Sequence, residues 1–532
     1  MMKNKYKRDF YLKRSKELEI KFYKRPFKEI IWWVLYFFDF LLFRISPKLH
    51  SIINGNFHVN NNKNARDRTD YLKSIYAETD HRYFEIQVMN HTRISNILSE
   101  NEEIIYKRIG EEEFFLFGAT PLIEESHHNE VIEWSLNVLI IEDDKEKDLL
   151  SFVFPYNTEN RNDNFIYKIK DGWVNFKIDL KKYKKNNLII KICPSLKKIR
   201  NKNYKSQFSL SNPQFRLEEN GKKNILLLSI ESLSDLKFLS RKYNYSIPKN
   251  LENLMKDSYC YDKVYSPVDS TLPHAASITS GLYASQHGIG DYSVGADTYH
   301  NKTINGNVHL LQKVMKKNNF LTFFAGTSAR FNSKGGHAKG FDDHYQINNN
   351  FENNPLKMSY LVDTIDSFKD FNNFFLFHLD YLHAPMLSFD QENSLKLHEA
   401  SLLDTKNDKL AENLYFNGLE KVDRDIGELI KYLKSSNQYE NTMIILTGDH
   451  GSGVNWEKNS NYSLYDERIR VPLIVKHPIW SNEIIKPNKI VNSIQEINKI
   501  ITFAIGEKIS DQLKNLPQYS RKYNNFAIAE TI

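Results

Sequence analysis

The chain has 532 residues, is 41% hydrophobic and 13% aromatic, and carries a formal net charge of +7 at pH 7. That length and apolar content exclude a chain too small to bury a core and fit two to four domains. The charge does not describe a generally basic protein: residues 1–28 hold eleven Lys/Arg against three Asp/Glu, a net +8, which leaves −1 for the other 504 residues.

A basic tail of this kind suits nucleic acid or an anionic membrane surface, and the adjoining apolar run favours the membrane. Ile30 to Phe43 reads IIWWVLYFFDFLLF, with Asp39 as its one charge and two adjacent tryptophans. Lys28 and Arg44 confine it to fifteen residues, about 22 Å at helical rise. A span needs about 20 apolar residues, so a helix lying in the interface fits better, and a nucleic-acid partner is not expected. No small-residue cleavage site comes after it, as a secretory signal requires. Cys193 and Cys260 show no metal or redox spacing, which argues against a disulfide-stabilised secreted domain. The expectation is membrane association on the cytoplasmic face. If the segment spans instead, the basic flank stays inside and the rest of the chain lies outside.

Residues 51–83 are polar and Asn-rich at first and read as a linker after an N-terminal segment of residues 1–50. Residues 84–220 hold short β-type runs, among them Phe114–Phe117, Glu133–Ile141, Leu150–Phe154, Trp173–Leu180 and Leu188–Cys193. Several short strands without amphipathic helices between them predict a β-sandwich. The alternating run from Trp173 to Leu180 resembles the tail of galactose-binding-type jelly-roll domains, over about thirty residues. A structural sandwich is favoured over a sugar-binding one, because a fold does not fix a function.

From residue 221 the pattern changes. Apolar runs at Ile225–Ile230, Leu321–Ala325, Phe374–His378, Met443–Thr447 and Leu473–Lys476 alternate with helix-like stretches such as Asn307–Lys317 and Leu414–Lys434. Continuous apolar strands flanked by helices predict a parallel sheet covered on both faces, with ligands beyond the carboxyl ends of the strands.

Three strand ends carry chemistry: Glu231-Ser232, Gly448-Asp449-His450-Gly451, and the stretch holding His378, Asp380 and His383. Hard oxygen donors with an imidazole suit one divalent ion, manganese first, with zinc, magnesium or calcium as alternatives. The stretch Ser266–Gly290 supplies a further oxygen. Thr271 stands two residues before Pro273, which is favoured in a first helical turn, so Thr271 is expected at a helix N-terminus suited to anions. Glu231, Asp449 and His450, with the Thr271 oxygen, form the expected metal set. A metal there lowers the threonine's pKa and neutralises ester charge. His383 and His378 are the next candidates, and His274 adjoins the nucleophile.

Residues 224–532 resemble the sulfatase branch of the alkaline phosphatase superfamily. The resemblance runs in order through NILLLSIESL (224–233), SPVDSTLPHAASITSGLYASQHGI (266–289), GFDDHY (340–345), FFLFHLDYLHAP (374–385), the Tyr415…Asp423 stretch, NTMIILTGDHGSG (441–453) and RVPLIVKHP (470–478). It implies an α/β fold, a parallel-sheet sulfatase/alkaline phosphatase-like domain preceded by the jelly-roll-like β-sandwich. It also implies metal ligation by Glu231, Asp449 and His450, a nucleophile at Thr271, and ester contacts or leaving-group protonation by His383, with His378 and His274 on the substrate side. Sulfatases carry a Cys/Ser-x-Pro-x-Arg block converted to formylglycine; here it is Thr271-x-Pro273-x-Ala275. Threonine cannot become that aldehyde.

Glu, Thr, Asp and His together are similar to the set in phosphoglycerol and phosphoethanolamine transferases, which the resemblance implies work through a phosphorylated threonine. The expected function is transfer of a phospho-headgroup from an anionic ester donor to a glycan or lipid acceptor. The alternatives are a sulfuric ester hydrolase without formylglycine, or a degenerate glycan-binding domain. An apolar run at 526–532 stands where the family continues with another strand and helix, so a C-terminally short catalytic domain is expected.

Overall fold

The computed structural model describes residues 83–529 apart from 89–90, 109, 123–131, 143–144, 155–165, 171–172, 184–187, 200–206, 219–221, 291–303, 305–307, 327–328, 332, 347–357, 383–407, 452–463, 482–489, 509 and 512–526. The expectations for the N-terminal segment, the linker and His383 therefore lie outside the described residues. No helix among the described residues is long and apolar enough to cross a membrane.

The first ten described elements are strands: β1 (Tyr83–Val88), β2 (His91–Leu98), β3 (Ile104–Lys107), β4 (Phe114–Leu122), β5 (Ile132–Glu142), β6 (Lys145–Phe154), β7 (Ile166–Lys170), β8 (Trp173–Asp179), β9 (Ile189–Ile199) and β10 (Gln207–Arg216). They make two antiparallel layers. One runs β3-β9-β5-β6, and the other contains β2-β10-β4-β8-β7. Inward aromatics join them: Trp134 and Phe154 lie 5.4 and 5.2 Å from Phe208, and Tyr106 lies 5.2 Å from Phe115. Such ring pairs add about 0.5–1.5 kcal/mol beyond burial. Alternation in β8, where Lys177 is less buried than Phe176 and Ile178 on either side, is the period-2 pattern of a half-buried strand.

The second part opens with β11 (Asn224–Ile230), seven consecutive buried residues. It continues with α1 (Leu236–Tyr243), α2 (Lys249–Lys256), β12 (Tyr259–Cys260), β13 (Val264–Tyr265), α3 (Thr271–Ser280), α4 (Ala284–His287), α5 (Leu311–Lys317), β14 (Phe320–Gly326) and β15 (Asp343–Gln346). Then come α6 (Met358–Ser367), β16 (Asn372–Leu379), α7 (Asp408–Ser435), β17 (Thr442–Gly448), α8 (Asp466–Ile469), β18 (Leu473–Lys476), β19 (Val491–Asn492) and α9 (Ser493–Ala504). Strands β17, β11, β16, β14 and β15 are parallel neighbours in that order. The edge is mixed, because β18 and β12 add antiparallel.

Side-chain alternation along β11 serves both faces. Leu226, Leu228 and Ile230 pack with Leu419, Val422 and Ile426 of α7, and Ile225 and Leu227 pack with Ala275 and Ile278 of α3 and Ile497 of α9. The central strand lies between β16 and β17, with Ile230 level with Leu379 on one side and Gly448 on the other. The three chemistry-bearing strand ends therefore reach the same rim, the position where open α/β sheets take their ligands.

The two parts share one hydrogen-bonded sheet. β15 pairs antiparallel with β2, Tyr345 opposite His91 and His344 opposite Thr92. A buried polar cluster seals that seam: His91 Nδ1 and Arg93 Nη2 each lie 2.8 Å from the Asp343 carboxylate, and Tyr345 stacks on His91 at 4.5 Å.

Candidate active site

Thr271 is the first residue of α3, after Ser270 in extended conformation, and no side chain caps the helix. The helix ends at Gly281, whose φ of 72° is the left-handed geometry that glycine adopts without strain. Thr271 Oγ1 donates to Glu231 Oε1 at 3.2 Å and sits 3.3 Å from His450 Nε2. His450 Nε2 lies 3.4 Å from Asp449 Oδ2. The four residues expected to form the metal set are thus one contiguous buried group.

Backbone geometry fixes each member. Beyond β11 the chain turns sharply, with Ser232 at φ 63°, a conformation uncommon for a side chain with a Cβ. That turn aims the Ser232 N–H at Asp449 Oδ1, 2.7 Å away. Asp449 Oδ1 accepts a second bond, from the His450 N–H at 2.7 Å. The turn is clamped from α7: Tyr415 Oη donates to Ser232 O at 3.0 Å and accepts from Ser234 N at 3.2 Å. Glycine flanks Asp449-His450 because backbone crosses there. A Cβ on Gly448 would lie 2.2 Å from Leu233 O, and one on Gly451 would lie 2.2 Å from Glu467 O.

The site's ionisable groups are strongly shifted by burial and by one another. Burial and the neighbouring Glu231 charge push Asp449 up, to about 6. Burial, reinforced by Arg468, holds His450 well below its ordinary range. His450 Nδ1 donates to Gly451 O at 2.9 Å, which turns the Nε2 lone pair toward Thr271, as carbonyl-oriented ligand imidazoles are held. Asp449 Oδ2 is buried without a hydrogen-bond partner. Two adjacent buried carboxylates, one with an orphaned oxygen, are costly unless a positive charge joins them. Glu231, His378 and Asp449 offer ligand atoms that all lie within 4.8 Å of one another. This triad, whose imidazole is His378 where the sequence pointed to His450, fits one divalent ion.

His378, expected on the substrate side, is brought into this group. Its Nε2 is 3.1 Å from Glu231 Oε2. Burial alone would depress it, and the hydrogen bond and charge of Glu231 outweigh burial and raise it. His274 is fully buried one turn into α3, 3.4 Å from Ser229 Oγ. Burial and the His378 charge push it down to about 3. Ser229 Oγ also lies 3.2 Å from His378 Nδ1, so His274 reaches the rim through Ser229 and His378.

The site also holds two arginines that no sequence signal picks out. Arg330, in the short turn Ala329–Phe331, puts Nη1 3.7 Å from Glu231 Oε1. Arg468, in α8, donates from Nε to Asp269 O at 3.1 Å, two residues before Thr271. Neither sits at a strand end or in a recognisable spacing, so no local pattern marks them.

The likeness to known proteins is at the level of family. The sequence model of the sulfatase family matches residues 223–505, more than half of the chain. No curated protein matches the chain. Among solved structures, a Bacteroides thetaiotaomicron sulfatase described for the metabolism of multiple glycosaminoglycans is 15% identical with a TM-score of 0.44, covering 58% of this chain and 78% of its own. A phosphonate monoester hydrolase of Silicibacter pomeroyi is 17% identical with a TM-score of 0.40, over 55% and 78%. Ps i-CgsB, solved with k-i-k-neocarrahexaose, is 18% identical with a TM-score of 0.40, over 55% and 74%.

Proposed function

The chain belongs to the sulfatase family, and from that premise we propose that this sulfatase-like hydrolase works on phosphate esters, transferring a phospho-headgroup through a phosphorylated Thr271. The observation that carries the reading is the Thr271 hydroxyl at the α3 N-terminus, 3.2 Å from Glu231 and 3.3 Å from His450. A threonine at this point cannot supply the aldehyde of formylglycine chemistry, and position 275 is alanine. Both features favour phosphate over sulfate.

A divalent ion bound by Glu231, Asp449, His450 and the Thr271 oxygen would supply Lewis acidity and charge neutralisation. The chain's own groups do the rest. In the first step the Thr271 oxygen forms the new bond to phosphorus as the bond to the leaving oxygen breaks, and the hydroxyl proton departs along its existing bond to Glu231. The leaving oxygen takes its proton from a histidine, His383 by position in the sequence. The uncapped first turn of α3 faces the equatorial oxygens, where backbone N–H groups favour anionic charge. In the second step the acceptor's hydroxyl oxygen forms its bond to phosphorus as the Thr271–phosphorus bond breaks; its proton goes to the histidine that protonated the leaving oxygen, and the Thr271 oxygen takes back the proton held by Glu231. A glycan, a lipid or water can serve as acceptor. The basic, tryptophan-bearing residues 1–43 support a membrane-surface donor or acceptor, with the enzyme on the cytoplasmic face. Manganese is the first choice of metal, with zinc, magnesium or calcium as alternatives.

The test is turnover of an aryl phosphate diester against an aryl sulfate by the purified protein with Mn²⁺, together with intact-mass analysis after incubation with phospholipid donors. Metal-dependent diester turnover and an adduct on Thr271 are expected. Aryl sulfate turnover without diester turnover would establish the sulfuric ester reading instead.

A further inference from the structure

Four consecutive main-chain carbonyls of one short segment hold the three loops that carry the site. At the end of α8, Glu467 O accepts from Ser234 Oγ at 3.0 Å, and Arg468 O accepts from Gly451 N at 2.6 Å. Ile469 O accepts from Ser266 N at 2.7 Å, and Arg470 O accepts from Asp235 N at 3.0 Å. The last carbonyls of a helix have no partner within it, and here they are spent on other elements. The Glu231 turn is fastened by two of them, the Asp449-His450 loop by one, and the loop leading into Thr271 by one. Ser266 Oγ, which donates to Asp449 O at 2.5 Å, closes the set from the other side.

Within this strap, the Arg468 side chain adds a contact of a different kind. Its Nε donates to Asp269 O at 3.1 Å, so one residue holds the metal-ligand loop by its backbone and the nucleophile loop by its side chain. Arg468 is half-buried, and its charge is felt at His450. α3 itself contributes no charged residue in its first or last turn.

We infer that Arg468 is a positioning residue: by joining Asp269 to the Gly451 loop it sets the distance between the Thr271 oxygen and the metal-ligand group. The inference rests on Thr271 being the nucleophile. An attacking oxygen displaced by about 1 Å can lose about a hundredfold in rate, while binding of the ester, made through other groups, changes little.

The experiment uses the full chain with Mn²⁺ and whichever of an aryl phosphate diester and an aryl sulfate the wild type turns over, comparing Arg468→Met and Arg468→Lys. Methionine keeps the apolar stem and removes charge and donor. Lysine keeps the charge and loses the Nε–H. Positioning predicts a kcat lower by about ten- to a hundredfold in both variants, KM within about threefold of wild type, and an unchanged Mn²⁺ titration. Full recovery in Arg468→Lys, or a raised KM at wild-type kcat, would assign the residue to charge and overturn positioning. A lower Tm with wild-type kcat, or two variants that do not fold, would make it a purely structural residue and also overturn it. Turnover of the sulfate alone defeats the phosphotransfer reading while leaving this comparison intact on that substrate. No turnover of either defeats both.

Discussion

Thr271 Oγ1 and Glu231 Oε1 lie 3.2 Å apart although forty residues separate them in the chain. The contact exists because Glu231 leaves β11 at the level where α3 begins, with α3 packed on the face of β11 that carries Ile225 and Leu227. A hydroxyl held between a carboxylate and a neutral imidazole is oriented as the proposed attack requires. Thr271→Ala should therefore abolish the covalent adduct and reduce diester turnover by at least about a thousandfold, on the scale of removing a nucleophile. Thr271→Ser should retain a measurable adduct, because the oxygen is kept and only the stiff β-branch is lost. Intact-mass spectra of the two variants check this, and full metal-dependent activity in Thr271→Ala would sink the mechanism.

Tyr415 is the second test, because it acts on the proposed metal ligands without touching them. Its hydroxyl donates to Ser232 O and accepts from Ser234 N, holding a turn in which Ser232 has a positive φ. Removing the hydroxyl orphans a buried carbonyl and a buried N–H, a loss of about 1–3 kcal/mol for each group left unsatisfied. Tyr415→Phe should lower thermal stability and weaken Mn²⁺ affinity about ten- to a hundredfold, as changes to ligand-supporting residues do. Calorimetric titration of Mn²⁺ reads the second effect independently of activity. Wild-type affinity in Tyr415→Phe would show that the turn holds itself.

Much of the site is legible in the sequence for a physical reason. The buried strands β11, β14, β16 and β17 are continuous apolar runs, so their ends, and the Glu231 and Asp449-His450 they deliver, can be located without any contact being known. Thr271 is marked by Pro273, which fixes a helix start. The shared sheet at β15 and β2 is not visible, because His91, Arg93 and Asp343 are polar residues that meet only across the fold. Arg330 and Arg468 escape for the same cause. A side chain that reaches a site from a short turn leaves no periodicity to read. The choice of His378 as a neighbour of Glu231 also depends on register, since Ser229 and His378 are paired across β11 and β16.

The seam between the two parts predicts an acid-sensitive stability. Burial alone would raise Asp343, and the charges of Arg93 and His91 outweigh it and hold the carboxyl well below the usual carboxylate range. A depressed carboxyl contributes stability that is present above its unfolded pKa, about 3.9, and is lost as the pH falls through the folded value. Asp343→Asn should destabilise the protein at pH 7 by about 3–5 kcal/mol, because it leaves Arg93 buried without its counter-charge. The same variant should lose less than the wild type between pH 5 and pH 3. Urea unfolding at pH 7, 5 and 3 measures both, and parallel acid limbs in the two proteins would remove Asp343 from the account.

Gly448 offers the last prediction, a steric one. It ends β17 immediately before Asp449, and a Cβ there would meet Leu233 O at 2.2 Å. The obstacle is backbone, so no rotamer change relieves it. Leu233 belongs to the same turn that Tyr415 clamps, and Asp449 Oδ1 accepts from Ser232 N within it. Pushing Leu233 away therefore also stretches the bond that orients Asp449. Gly448→Ala should unfold at lower temperature, consistent with overpacking costs of about 1–3 kcal/mol, and should bind Mn²⁺ more weakly even where it is folded. Gly506→Ala is the control: that glycine has a φ of 80° with nothing within 4 Å of an added Cβ, so it incurs backbone strain without a steric clash. It should lower Tm while leaving Mn²⁺ affinity unchanged, and equal loss of affinity in both variants would show that Gly448 acts only through global stability.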